Sequence, residues 1–268
     1  MNIISLIISG LLLAIVLNGC SNDENSRPEG FDPLQSNDLT SGDPASNDLT
    51  SGDPASNDRS SNEANIRPEG FDYVHNVIPD VRYDIRYYTA DNFVGAPVDG
   101  YHAPVAILTH EALIKLAEAA NELREQGFGI IVFDGYRPQK AVDHFVRWAQ
   151  DPGDTLTKQK YYPDVDKADL FEKGYVASRS GHTRGSTIDL SLYDLETGKP
   201  LDMGSGFDLF GPASHHGSPL VTEEQASNRL ILKEAMLRHG FREYSREWWH
   251  YRLENEPWPD TFFDFDVK

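Results

Sequence analysis

Cysteine is almost missing from this 268-residue chain; Cys20 stands alone. A single thiol excludes an intramolecular disulfide framework and any cysteine-rich zinc site. Basic residues are scarce too, with 24 Lys and Arg against 43 Asp and Glu, and the net charge is −19. Phosphate binding needs clustered Lys and Arg, so this balance argues against nucleic acid as a partner. A membrane-length apolar run is also lacking at the start of the chain. The first twenty residues carry no charge, and their apolar run, Ile3 to Leu17, is 15 residues long. That is short for a membrane span and right for a signal-peptide core. Hydrophobic residues make up 39% of the chain, enough for one good-sized core or at most two small ones.

The apolar run ends in Leu17-Asn18-Gly19-Cys20. A small residue just before a cysteine, after such a core, resembles the cleavage box of bacterial lipoproteins. The resemblance implies that residues 1–20 form a lipoprotein-type signal and that Cys20 is lipidated. A plain secretory signal or a short anchor helix are the other readings. Residues 21–66 are a different material. "SNDLTSGDPA" occurs at 36–45 and again at 46–55, and "RPEGFD" occurs at 27–32 and at 67–72. Ten Asp and Glu stand against two Arg over 21–66, leaving −11 for the rest of the chain. Repeats of Ser, Asp, Gly, Pro and Asn cannot bury enough apolar surface to offset ordering entropy. This stretch is expected to be a disordered acidic tether.

The folded domain is expected over 67–268. "THEALIKLAEAANELREQG" reads as a helix with Thr109 as cap, Leu113, Leu116, Ala117, Ala120 and Leu123 on one face, and Gly127 as stop. Phe128–Phe133, "FGIIVF", is short and apolar, a buried strand. Pro138 suits the first position of a second helix. Ile188, Leu190 and Leu192 alternate with Thr187, Asp189 and Ser191, the period of a strand. Thr222 and Gln225 make a capping box for a third helix running to Gly240. "FREYSREWWHYRL" is strand-like and aromatic. Irregular alternation of these pieces predicts an α+β fold with an antiparallel sheet flanked by helices.

A zinc hydrolase site needs three ligands from His, Asp or Glu and one open position. Of the nine histidines, His75, His102, His110, His144 and His239 fall in loops or on helix surfaces with no acidic partner in view. His215 and His216 are adjacent, and neighbours in extended chain point opposite ways. His182 and Asp189 flank a glycine-containing turn that can fold the histidine back over the strand. His250 follows Glu247 by three residues in "EWWH". A histidine beside a non-ligand glutamate fits a zinc ligand next to the base that activates water. The other reading has Asp189 bonding the loop backbone and His250 filling a place among Trp248, Trp249 and Tyr251. Arg137, in "DGYRP", reads equally as a turn residue paired with Asp134.

"SGHTRGSTIDLSL" resembles the SxHxxGxxxD signature of the zinc D,D-peptidases, and "EWWH" and "DGYRP" resemble that group's glutamate–histidine and arginine elements. Blocks at 89–101, 133–148, 173–198, 203–210 and 247–268 are similar, in the same order, to the D-alanyl-D-alanine dipeptidases of the vancomycin-resistance (VanX) type. The resemblance spans nearly all of 73–268. It implies one Zn²⁺ per chain on His182, Asp189 and His250, with Glu247 as general acid/base and Arg137 as oxyanion donor. It further implies Ser180 and Tyr101 at the substrate carboxylate, and Asp208 with Tyr87 at the free amino group. The fold it implies is the single small domain shared by murein D,D-peptidases and the hedgehog signalling domain.

The expected activity is hydrolysis of the D-Ala-D-Ala dipeptide, by a protein held at the cell envelope through an N-terminal lipid and facing the periplasm or exterior. Two alternatives share the metal site. One is a D,D-carboxypeptidase trimming peptidoglycan stem peptides, and the other is a zinc-bearing binding module without turnover.

Overall fold

The computed structural model describes residues 66–268. Cys20, the signal-like segment and the acidic repeats lie outside the described residues. A short ladder forms first: β1 (Phe71–Tyr73) pairs antiparallel with β3 (Ile107–Thr109). The main sheet has five strands in the order β2-β4-β5-β7-β6. Its members are β2 (Arg82–Tyr83), β4 (Phe128–Asp134), β5 (Thr187–Asp194), β6 (Phe241–Tyr244) and β7 (Glu247–Leu253). Every pairing is antiparallel except at one edge, where β2 runs parallel to β4. Parallel pairing needs a crossover connection, and residues 84–127 supply one.

The strand over 187–194 is the middle of this sheet, not a solvent edge. Residues from Thr187 to Tyr193 are buried on both parities. Ile188, Leu190 and Leu192 belong to the apolar core, which leaves Asp189 and Ser191 on the opposite face.

After a single helical turn, α1 (Val74–Val77), the first long helix is α2 (His110–Glu125). The Thr109 side chain accepts from Ala112 N, and Gly127, at φ +92°, ends the run in a conformation glycine tolerates best. The second is α3 (Gln139–Ala149); Pro138 is its N-cap rather than its first residue. The ring holds φ at −57°, but ψ of 149° keeps Pro138 extended. Beyond the short α4 (Lys158–Tyr161) comes α5 (Glu223–Arg238), with the Thr222–Gln225 capping box formed in both directions. Helices α2 and α5 pack on each other, α2 against β4 and α5 against β6 and β7. Among the described residues no helix is long and apolar enough to cross a membrane.

Three histidines read as unpartnered do have acidic neighbours. His144 Nδ1 is 3.3 Å from Asp99, His102 Nε2 is 3.5 Å from Asp266, and His239 Nε2 is 2.8 Å from Glu122. Each partner is distant in the chain, so sequence proximity could not reveal it.

Candidate active site

Three strands bring three polar side chains into line on one face of the sheet. Asp189 on β5 lies opposite His250 on β7 and, across a register shift, opposite Asp134 at the end of β4. Directly opposed residues have Cβ atoms about 5 Å apart, close enough for their side chains to share one ion. His182 arrives from a 3₁₀ turn, Gly181–Arg184. The Ser180 hydroxyl oxygen accepts from His182 N at 3.2 Å and caps this turn. Gly185 reverses the chain at φ +82°; a Cβ there would sit 2.1 Å from the Phe71 ring. So glycine is demanded twice, by backbone sign and by space.

His182, Asp189 and His250 each offer one ligand atom, and these atoms lie within 4.8 Å of one another. No other group of three such residues does so among the described residues. His182 Nδ1 lies 2.7 Å from the Gly135 carbonyl. A carbonyl only accepts, so the Nδ1 proton is fixed there and the Nε2 lone pair is free. Nε2 lies 3.3 Å from Asp189 Oδ2 and 3.3 Å from His250 Nδ1. Asp189 Oδ1 is buried without a hydrogen-bond partner, although His250 Nδ1 is 3.1 Å away. Two imidazole nitrogens and an orphaned buried carboxylate oxygen form a donor set that suits zinc. Burial disfavours the Asp189 charge, but the two histidines outweigh it and hold the carboxyl far below its usual range.

Glu247 stands beside this cluster, its Oε2 3.5 Å from His250 Nδ1. Strict strand alternation would separate residues three apart. Glu247, however, is the first residue of β7, next to the register shift at Glu243/Tyr244. Burial pushes its carboxyl up to about 7. Arg137 enters from the turn after β4, its side chain 13% exposed. Its Nε donates to Asp134 Oδ2 at 2.8 Å, and Nη2 stands 3.6 Å from Asp189. Pairing with Asp134 and standing beside Asp189 are therefore both true of Arg137.

Asp208 is buried, and its Oδ2 accepts from the Tyr87 hydroxyl at 2.8 Å. Burial first, then the Asp189 charge, push its carboxyl well above the ordinary range. Its backbone sits at φ +62°, unusual for a residue with a side chain. A buried carboxylate in a negative neighbourhood is a ready receptor for a cation. Ser180 keeps its own proton to donate, since its oxygen accepts from His182 N. Tyr101 is 5% exposed and donates to Asp134 Oδ1 at 2.6 Å.

Asp134 has a wider role than a turn partner. It holds Tyr101, Arg137 and its neighbouring Gly135 N, and its Oδ2 is 3.5 Å from His182 Nδ1. Its place before Gly135 in "DGYRP" was the one visible sign of this.

Residues 67–268 match the family model Peptidase_M15, described as D-ala-D-ala dipeptidase. The D-alanyl-D-alanine dipeptidase of Enterococcus faecalis is 48% identical over 199 residues, covering 74% of this chain and 98% of that protein. The Streptomyces coelicolor enzyme of that name is 47% identical over 197 residues, again 74% and 98%. The Escherichia coli one is 33% identical over 177 residues, 66% of this chain and 81% of that protein. With a family match across the whole described domain and a metal-ready His–Asp–His cluster at the centre of its sheet, the chain belongs to the Peptidase_M15 family of metallopeptidases.

Proposed function

We propose that this chain hydrolyses D-Ala-D-Ala to two D-Ala, with one zinc ion held by His182, Asp189 and His250. The observation that carries this reading is the three-ligand cluster with a non-ligand carboxylate, Glu247, 3.5 Å from it. Bound zinc supplies Lewis-acid polarisation of the scissile carbonyl and an acidified water. Glu247 takes the proton of the attacking water and delivers it to the leaving amine. A carboxylate beside the acidified water acts first as base and then, once protonated, as acid, so one side chain serves both directions. Arg137, anchored through Nε, directs its remaining N–H groups at the developing oxyanion. Asp208, oriented by Tyr87, takes the free ammonium of the dipeptide. Ser180 donates its hydroxyl proton to the substrate carboxylate beside Tyr101.

The carboxypeptidase alternative requires an amino side open to an acylated chain, and a buried Asp208 disfavours it. The non-catalytic alternative gives no use to Glu247 and Arg137 together. Zinc-dependent release of D-Ala from D-Ala-D-Ala by the full-length protein tests the reading, and release unaffected by complete metal removal overturns it.

The front of the chain extends the proposal. Lipidation of Cys20, with 21–66 as tether and 67–268 as catalytic domain, anchors the enzyme at the cell envelope. There it meets dipeptides outside the cytoplasm.

A further inference from the structure

The last six residues form an extended strap whose side chains alternate in exposure: Phe265 and Val267 are 2% and 1% exposed, while Asp264 and Lys268 face solvent. Going along it, Phe263 N donates to the Thr183 carbonyl at 3.0 Å, and its own carbonyl accepts from Gln139 N at 3.1 Å. Next, the Phe265 carbonyl accepts from the Tyr136 hydroxyl at 3.0 Å, and the two rings stack with centroids 3.9 Å apart at 9°. Finally, Val267 N donates to the Gly100 carbonyl at 2.8 Å, and the Val267 carbonyl accepts from His102 N at 2.7 Å. The charged positions add to this: Asp264 accepts from Lys140 N at 2.8 Å, and Asp266 pairs with the Lys140 amine at 2.8 Å.

These contacts fall on three segments far apart in sequence, the 3₁₀ turn 181–184, the turn that leads into α3 and the stretch 100–102, and each carries a residue of the site. Thr183 follows His182, Tyr136 precedes Arg137, and Gly100 and His102 bracket Tyr101. The segments are also tied directly, Arg137 N to the His182 carbonyl at 3.2 Å and Tyr101 to Asp134 at 2.6 Å. Connecting segments do not hold such geometry by their own propensity; tertiary contacts impose it.

On the reading given above for Arg137, we infer that the C-terminal strap is a positioning element for the reaction, with Phe265 as the residue that sets Arg137 through Tyr136. An oxyanion donor acts only when already aimed at the developing charge. A shift of about 1 Å costs roughly 100-fold in rate. The Phe265 ring fixes Tyr136 by face-to-face contact, and Tyr136 shares a peptide bond with Arg137. The ring contacts of Phe265 are to Tyr136, Phe71 and Phe263.

The test is a double-mutant cycle on the full chain. Phe265→Leu keeps an apolar side chain but loses the stacking, and it stands beside Phe265→Ala in case that variant does not fold. Phe265→Leu is expected to lower kcat by about 10- to 100-fold, with KM within about threefold and zinc content retained. In an Arg137→Ala background the same change is expected to cost less than about twofold, because its effect runs through Arg137. Amide exchange in Phe265→Leu is expected to quicken at 100–103, 136–140 and 182–185. Leu116→Ala, a cavity at a buried position of α2, serves as the destabilised control. An unchanged kcat, an equal loss in both backgrounds, or exchange that spreads as in the control overturns the inference. If the unmodified protein releases no D-Ala, or Arg137→Ala keeps its full rate, the functional reading falls instead. The exchange pattern then decides the strap by itself.

Discussion

His182 Nδ1 is 2.7 Å from the carbonyl of Gly135, which joins the metal-cluster histidine to the turn that carries Arg137. This contact fixes the imidazole tautomer, so Nε2 faces Asp189 and His250 with its lone pair free. On the proposed assignment, alanine at His182 or His250 removes one of three protein ligands. Zinc content of the purified protein, measured by elemental analysis, should drop sharply in both variants. Full retention in both would mean the ligands lie elsewhere.

Glu247 is expected to behave differently. Glu247→Gln leaves the three ligands in place and removes the proton acceptor. Zinc content should stay near the unmodified level while kcat falls by roughly 10²–10⁴. A loss of zinc equal to that of the histidine variants would make Glu247 a ligand.

His216 sets a pH limit on stability. Burial lowers its pKa to about 4 from an ordinary 6.5, so the folded state keeps the ring neutral. Between these values the unfolded chain binds more protons, and stability rises with pH. The contribution is complete above about 6.5 and is lost as pH falls towards 4, at most about 3 kcal/mol. Denaturant unfolding of the full chain at pH 7 and pH 4.5 should show a smaller drop for His216→Gln than for the unmodified protein. Equal drops would show that other groups set the acid limb.

Much of the site was legible because chemistry and local structure coincide in short segments. "SGHTRGSTIDLSL" contains the capping serine, the reversing glycine and the strand, so His182 and Asp189 could be joined across one turn. The segment 241–253 reads as strand-like and aromatic, but its residues alone left His250 between a metal ligand and a place among Trp248, Trp249 and Tyr251; its position opposite Asp189 comes from the β5–β7 pairing. Other features depend on contacts that no segment contains. Asp134 becomes a hub only when Tyr101 and His182 arrive from elsewhere. The parallel edge strand β2 is two residues long, too short for a periodic signal. Pro138 was displaced by one position because a proline ring sets φ but not ψ.

Cys20 can be tested by itself. Cys20→Ser removes the thiol that lipidation requires. In cells the variant should move from the membrane fraction to the soluble one, while D-Ala-D-Ala hydrolysis in lysate stays unchanged. Persistence in the membrane fraction would assign anchoring to the apolar segment itself.

Asp208 decides between dipeptide and longer substrates. Its carboxyl is buried, held by Tyr87 at 2.8 Å, and repelled by the Asp189 charge. A dipeptide ammonium compensates that charge, whereas an acylated amine leaves it without a partner. An uncompensated buried charge costs about 3–5 kcal/mol, an upper bound here because a carboxyl pushed up by burial and by Asp189 takes up a proton instead; the discrimination is at most roughly 10²–10⁴ in kcat/KM. D-Ala-D-Ala should therefore be cleaved far faster than N-acetyl-D-Ala-D-Ala or stem peptides ending in D-Ala-D-Ala. Asp208→Asn should slow dipeptide cleavage and narrow the gap, because a neutral amide neither attracts the ammonium nor penalises the acyl group. Comparable kcat/KM for free and acetylated dipeptides in the unmodified protein would refute the dipeptidase reading and favour the carboxypeptidase one. A narrowed gap in Asp208→Asn would place the discrimination in that one side chain, since in the proposed mechanism zinc, Glu247 and Arg137 act on both substrates alike.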